Sequence, residues 1–210
     1  QGPPQPVPPA PEWWAPPETV AAHDFWYRAF VTMLLQSPVV CDLARPFDIT
    51  VKAVDAQHHK LLTLVNGMRW MLLNRVWRLG FTDGLKLTGE ELRNFSAALL
   101  WLKQYGVVHF DNEERVMENL GYPQSGHHKE LHRAFYGQMM MASEVVDTIM
   151  SLGGGFHVGP VYVFAAKWIQ DHVCTLDKSI EKFIGSHGVE LNETEDIIPD
   201  GAAALLQYQL

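Results

Sequence analysis

His109 and Glu113 stand four residues apart, and so do His128 and His132. On a helix, residues four apart lie about 40° from each other and one turn up, so each pair can aim at a single point. Imidazoles and carboxylates aimed in that way are metal ligands. Gly121-Tyr122-Pro123 separates the two pairs. A glycine C-cap followed shortly by proline ends one helix and lets the next fold back on it. Two more places carry the same chemistry: His58, and His172 with Asp177. His172 and Asp177 are five apart, about 140° around an ideal helix. Either the aspartate reaches in from the flank, or the helix is locally overlong there.

Four long helical patterns position these residues. The first runs from about Asp55 to Leu79, with Leu61, Leu62, Val65, Met68 and Leu72 on its apolar face, and GFTDG breaks it. The second opens at an expected capping box, Thr88 with Glu91, and runs to Leu120. The third runs from about Ser125 to Leu152 and stops at Gly153-Gly154-Gly155. The fourth follows Gly159, with Pro160 in its first turn, and ends at Gly185. Short connections predict an all-α, up-down-up-down four-helix bundle over residues 55–185. In an antiparallel arrangement, the start of the first helix, the end of the second, the start of the third and the second half of the fourth lie level. All seven ligand candidates, His58, His109, Glu113, His128, His132, His172 and Asp177, therefore fall in one layer.

The flanks differ in kind. Residues 1–17 contain eight prolines and read as an extended arm or linker. Residues 18–38 carry Trp26, Ala29, Phe30, Met33 and Leu34 at helical spacing, an extra amphipathic helix suited to a protein partner or self-association through 19–36. Residues 39–54 read as an extended lead-in, and 186–210 as a tail that begins acidic and ends apolar. The formal net charge is −8 and no Lys/Arg cluster occurs, which argues against nucleic acid and anionic membrane surfaces as partners. No run of about 20 apolar residues predicts a membrane span. The chain starts with Gln and shows no signal-peptide pattern, as expected of a processed or excised cytoplasmic segment. Cys41 and Cys174 form no CxxC site and read as reduced thiols packed in a core.

Burying five imidazoles and two carboxylates without a partner would cost several kcal/mol for each group, so the layer calls for metal. Seven ligands are too many for one zinc, and calcium or magnesium would take mainly oxygen. Iron, manganese and zinc suit the mixture. Two six-coordinate ions fit the count when both carboxylates and one oxo or hydroxo group bridge them. That arrangement keeps one position open for a small ligand.

The stretches DAQHHKLLTLVN (55–66), HFDNEERVM (109–117), YPQSGHHKELHRAF (122–135) and WIQDHVCTLD (168–177) resemble the hemerythrin family, close to its bacterial members. The resemblance covers roughly residues 47–185, with the four motifs in order. It implies two iron ions, oxo- or hydroxo-bridged. His128, His132 and His172 would hold one iron, His58 and His109 the other, and Glu113 and Asp177 would bridge them. It implies reversible binding of O2 at the open position rather than enzymatic turnover, for carriage, storage or sensing. Trp168 and Ile169, near His172, would line an apolar O2 pocket. The interval between His58 and His109 is longer than the family pattern, with the extra length around WRLGFTDGLKLTG (77–89). His59 and His127 adjoin ligands out of register and read as surface or supporting residues, while His23, His157 and His187 read as solvated. The rival expectations are a di-iron redox enzyme acting on peroxide or nitric oxide, and an O2 or redox sensor module of a larger protein. The dominance of nitrogen donors, with no Glu-x-x-His motif placing an acid at the site, favours binding over O2 activation.

Overall fold

The computed structural model describes residues 49–187, which are predominantly helical. The proline-rich arm, the 18–38 helix, most of the lead-in, the tail beyond 187, and with them His23 and Cys41, lie outside the described residues. The long elements are α1 (Lys52–Leu79), α2 (Gly89–Leu120), α3 (Ser125–Ser151) and α4 (Gly159–Asp171). A π-helical turn, His172–Leu176, joins α4 to α5 (Asp177–His187). α1 packs on α2 and α4, α2 also on α3, and α3 on α4.

The helix ends follow local chemistry. Gly121 adopts the left-handed conformation at φ 63°, ψ 36°. There the Gly121 and Tyr122 N–H groups donate to the carbonyls of Glu118 and Met117, satisfying the end of α2. Pro160 sits in the first turn of α4, where its missing N–H costs nothing. α1 begins at Lys52, so the last three residues expected to be extended are helical. The reason is local. Thr50 takes a positive φ of 69°, which turns the chain so that the Ile49 N–H donates to the Asp55 carboxylate at 2.6 Å. The capping box is a second difference. Thr88 is the N-cap of α2 but makes no side-chain capping bond. Glu91 instead accepts from Arg75 of α1.

That arginine organises the segment around 77–89. Its side chain is buried and also donates to the carbonyls of Gly84 (3.1 Å) and Lys86 (3.2 Å). The segment forms a single helical turn, Phe81–Gly84, and a strand β1 (Lys86–Leu87). β1 pairs antiparallel with β2 (Phe156–His157), Lys86 opposite Phe156's neighbour His157. The periodicity of the sequence did not predict this small sheet, because two-residue strands carry no alternation to read.

Two apolar clusters fill the interior. The larger includes Leu61, Leu72, Phe95, Phe135 and Ile169. The smaller joins Ile49, Val54, Val116, Met117, Tyr122 and Ile180. Several ligand candidates fall between the two along the chain: His58 between Val54 and Leu61, Glu113 between Phe110 and Val116, Asp177 between Val173 and Ile180. A polar layer is thus closed above and below by hydrocarbon.

Gly84 lies so close to α1 that an added Cβ would sit 2.6 Å from the Val76 Cα. Gly84→Ala should therefore cost about 1–3 kcal/mol, as overpacking against backbone does. Thermal unfolding would register it as a lower midpoint, while the distant polar layer keeps its metal affinity.

Candidate metal centre

All seven residues expected as ligands converge, and none exceeds 3% exposure. α1 supplies His58, α2 supplies His109 and Glu113, and α3 supplies His128 and His132. His172 and Asp177 bracket the π turn. The Asp177 N–H donates to the His172 carbonyl, five residues back. The wider turn brings positions five apart back onto one side, so the helix is locally overlong and the aspartate needs no flanking reach. Single π turns inside helices recur at functional sites.

The ligand atoms form two overlapping groups, each able to hold a metal ion: Glu113, His128, His132 and His172, and His58, His109, Glu113 and Asp177. Glu113 belongs to both. Within the first group the His172 Nε2 lies 2.9 Å from the Nε2 of both His128 and His132. Metal–nitrogen bonds of about 2.0–2.1 Å at right angles put neighbouring nitrogens about 2.9 Å apart. One Glu113 oxygen lies 3.3 Å from His128 Nε2 and 3.2 Å from His132 Nε2. Asp177 divides its oxygens: Oδ2 is 3.2 Å from His58 Nε2, and Oδ1 is 3.2 Å from His172 Nε2. Among the described residues, all four carboxylate oxygens of Glu113 and Asp177 are buried with no hydrogen bond of proper geometry. Each such atom costs about 1–3 kcal/mol until something satisfies it. Cations held between oxygens and imidazole nitrogens do so, and the residues present fit that role.

Electrostatics carry the same message. Burial pushes the His109 imidazole down to about 3, with the neighbouring His58 adding to the effect, so it is neutral and has a lone pair to offer. Burial also lowers His172. At His128 burial works downward, but its contacts with Asp177 and Glu113 outweigh it and hold the imidazole up at about 9. Burial would raise Glu113, yet contacts from His128, His132 and His172 hold it well below the usual carboxylate range. Asp177 is likewise lowered: burial and Glu113 oppose its charge, and His172, His128 and His58 prevail. Without metal, the proton held on His128 supplies counter-charge to the two carboxylates.

Two supporting residues escaped the sequence reading. The Gln57 amide oxygen lies 3.3 Å from His109 Nδ1, and the Glu114 carboxylate 3.0 Å from His132 Nδ1. Both face the ring nitrogen remote from the cluster, where a partner sets tautomer and ring orientation. The only sequence signal for each is adjacency to a ligand, Gln57 before His58 and Glu114 after Glu113. Adjacent helical residues point about 100° apart, so adjacency suggests no shared target.

Trp168 and Ile169 line a cavity of about 10 Å³ beside His109 and His172, shared with Phe110 and Phe135. Trp168 stacks on the His172 ring at 4.2 Å between centroids, and Phe110 on His132 at 4.0 Å. Those two phenylalanines were also missed, since core and site walls look alike in sequence. His59, His127, His157 and His187 stand apart from the cluster; His127, His157 and His187 are exposed. Cys174 is partly buried against the larger apolar cluster, and burial raises its thiol.

No protein-family model matches the chain, and a search of curated proteins returns no significant match. Fold and site by themselves define a mainly helical protein whose buried histidine–carboxylate cluster can hold metal. Among the described residues no helix is long and apolar enough to cross a membrane.

Removing the carboxylate behind His132, by Glu114→Ala, should weaken metal binding about 10–100-fold, the usual effect of losing such a support. Competition with a chelator would measure it, and Glu114→Gln should recover part of the loss. The pH dependence of the metal-free protein has a definite sign. His128 is raised from 6.5 to about 9, so its contribution to stability is complete below pH 6.5 and disappears as pH climbs through 9. The lowered histidines and carboxylates have already reached their full contribution above pH 6.5. Denaturant titrations between pH 6.5 and 9 should show stability falling, by at most about 3 kcal/mol, and saturating metal should abolish the fall.

Proposed function

We propose that this protein is a hemerythrin-like di-iron protein, an up-down-up-down four-helix bundle that binds O2 reversibly. The observation that carries the reading is the pair of ligand groups sharing Glu113, rich in nitrogen and buried beside a small apolar cavity. Iron ions at the two positions would supply the electrons that bind O2 reversibly. His128, His132 and His172 would hold one, and His58 and His109 the other. Glu113 and Asp177 would span both, each placing carboxylate oxygens within reach of imidazoles on either side.

The chain's own residues account for reversibility. Phe110, Phe135, Trp168 and Ile169 keep water from the cavity wall, so a charged product has little solvent to leave into. The cavity is narrow, with room of the order that admits a water-sized ligand, which favours a small ligand over an organic substrate. Among the described residues the two groups hold five imidazoles and only two carboxylates, and this dominance of nitrogen supports binding over turnover.

Metal analysis with absorption spectra of the reduced protein, before and after exposure to air, tests the reading. Two irons per chain, with charge-transfer bands that rise with O2 and vanish under vacuum, are expected. Immediate irreversible oxidation would instead favour a redox enzyme acting on peroxide or nitric oxide, and zinc or a single metal would sink the di-iron assignment. His109→Ala and Glu113→Ala should each abolish the paired centre; a variant that keeps two irons and an unchanged spectrum contradicts the ligand set.

A further inference from the structure

Gly106 is buried in the middle of α2, one turn before His109 and Phe110, and it lines the cavity together with them. A glycine inside a long helix is a standing cost, since it loses more backbone freedom than alanine and contributes no packing. The usual reasons for keeping one are missing here. Its backbone is ordinary helix, with no positive φ. Among the described residues no other element approaches it closely: a Cβ built at 106 would meet a single atom, Phe110 Cε2, at an ordinary 3.9 Å. By contrast, Gly84 and Gly155 are forced, with neighbours at 2.6 and 2.7 Å. A buried position where a side chain would touch almost nothing is a position bordering empty space. That space is the cavity, whose other walls are the bulky Phe110, Phe135, Trp168 and Ile169.

We propose that Gly106 is the size-determining residue of the ligand chamber. Its missing side chain leaves the room that the surrounding aromatic walls do not, and so sets how long a molecule can lie against the metal held by His109. The cavity is small and Gly106 is part of its wall, so a methyl group at 106 would narrow it. This rests on the di-iron reading above, and the experiment separates the two.

Iron-loaded wild type, Gly106→Ala and Gly106→Val are titrated in the ferric state with fluoride, a single atom, and azide, three atoms long. The wild type is expected to bind both. Gly106→Ala should keep two irons per chain and its fluoride affinity, and lose azide affinity about tenfold. Gly106→Val should lose azide binding about a hundredfold or more. Helix propensity predicts a rise of about 2–4 °C in the thermal midpoint of the alanine variant, which separates a smaller chamber from a damaged fold. Val173→Ala enlarges the chamber from another wall and should restore azide binding to Gly106→Ala. Azide affinity that is unchanged in both variants, or fluoride and azide lost together, would overturn the inference while leaving the di-iron centre intact. Loss of iron from Gly106→Ala would overturn it too, by showing that the glycine serves ligand packing. A wild type that takes up no paired iron would instead defeat the functional reading itself.

Discussion

Two carboxylates with no exposure, Glu113 and Asp177, sit among five imidazoles and, among the described residues, without a hydrogen-bond donor of proper geometry. The rest of the structure depends on that arrangement being neutralised. Isolated charges in a dry interior are too costly to keep, and a protein confronted with them either protonates or binds a cation. Here both responses are visible. His128 stays protonated to an elevated value, while His109 is stripped of its proton and presents a lone pair. Such a layer is costly by itself, and its donor set could hold a metal.

Hydrocarbon encloses this polar layer. α1, α2 and the last helical segment supply apolar side chains to both clusters, while α3 supplies them to the larger one. The ligands are therefore fixed by packing on rigid helices, and the imidazoles are clamped further by stacking, Trp168 on His172 and Phe110 on His132. Precision in a metal site comes from support of this kind as much as from the ligands. The support is unequal. The group with three imidazoles is backed by the Glu114 carboxylate, the group with two by the neutral Gln57 amide. A negative partner makes an imidazole a stronger donor, so the two halves differ in electron donation as well as in their number of imidazoles.

Arg75 holds the other end. By gathering the carbonyls of Gly84 and Lys86 it ties the connection between α1 and α2 back onto α1, and the short β1–β2 pairing anchors the α3–α4 connection beside it. The segment 77–89 is held there, away from the histidine–carboxylate layer.

Much of this was legible in the sequence. Period-3.6 apolar patterns located the four long helices, Gly121 and Pro160 marked their ends, and topology alone put seven ligand candidates in one layer. Those signals are local or follow from short connections, so they survive without coordinates. Other features depended on what lies across space. Glu91 reads as a capping residue until Arg75 of another helix claims it. Gln57 and Glu114 gain meaning only from the ring nitrogens they face. The five-residue spacing of His172 and Asp177 left two geometries open, and the π turn decided between them, because a helix widens when what it gains by aligning two ligands exceeds the strain of one irregular turn. Residue types and spacing determined which groups would meet; packing between helices decided how each is oriented, which neighbours steady it, and where an empty space remains beside it.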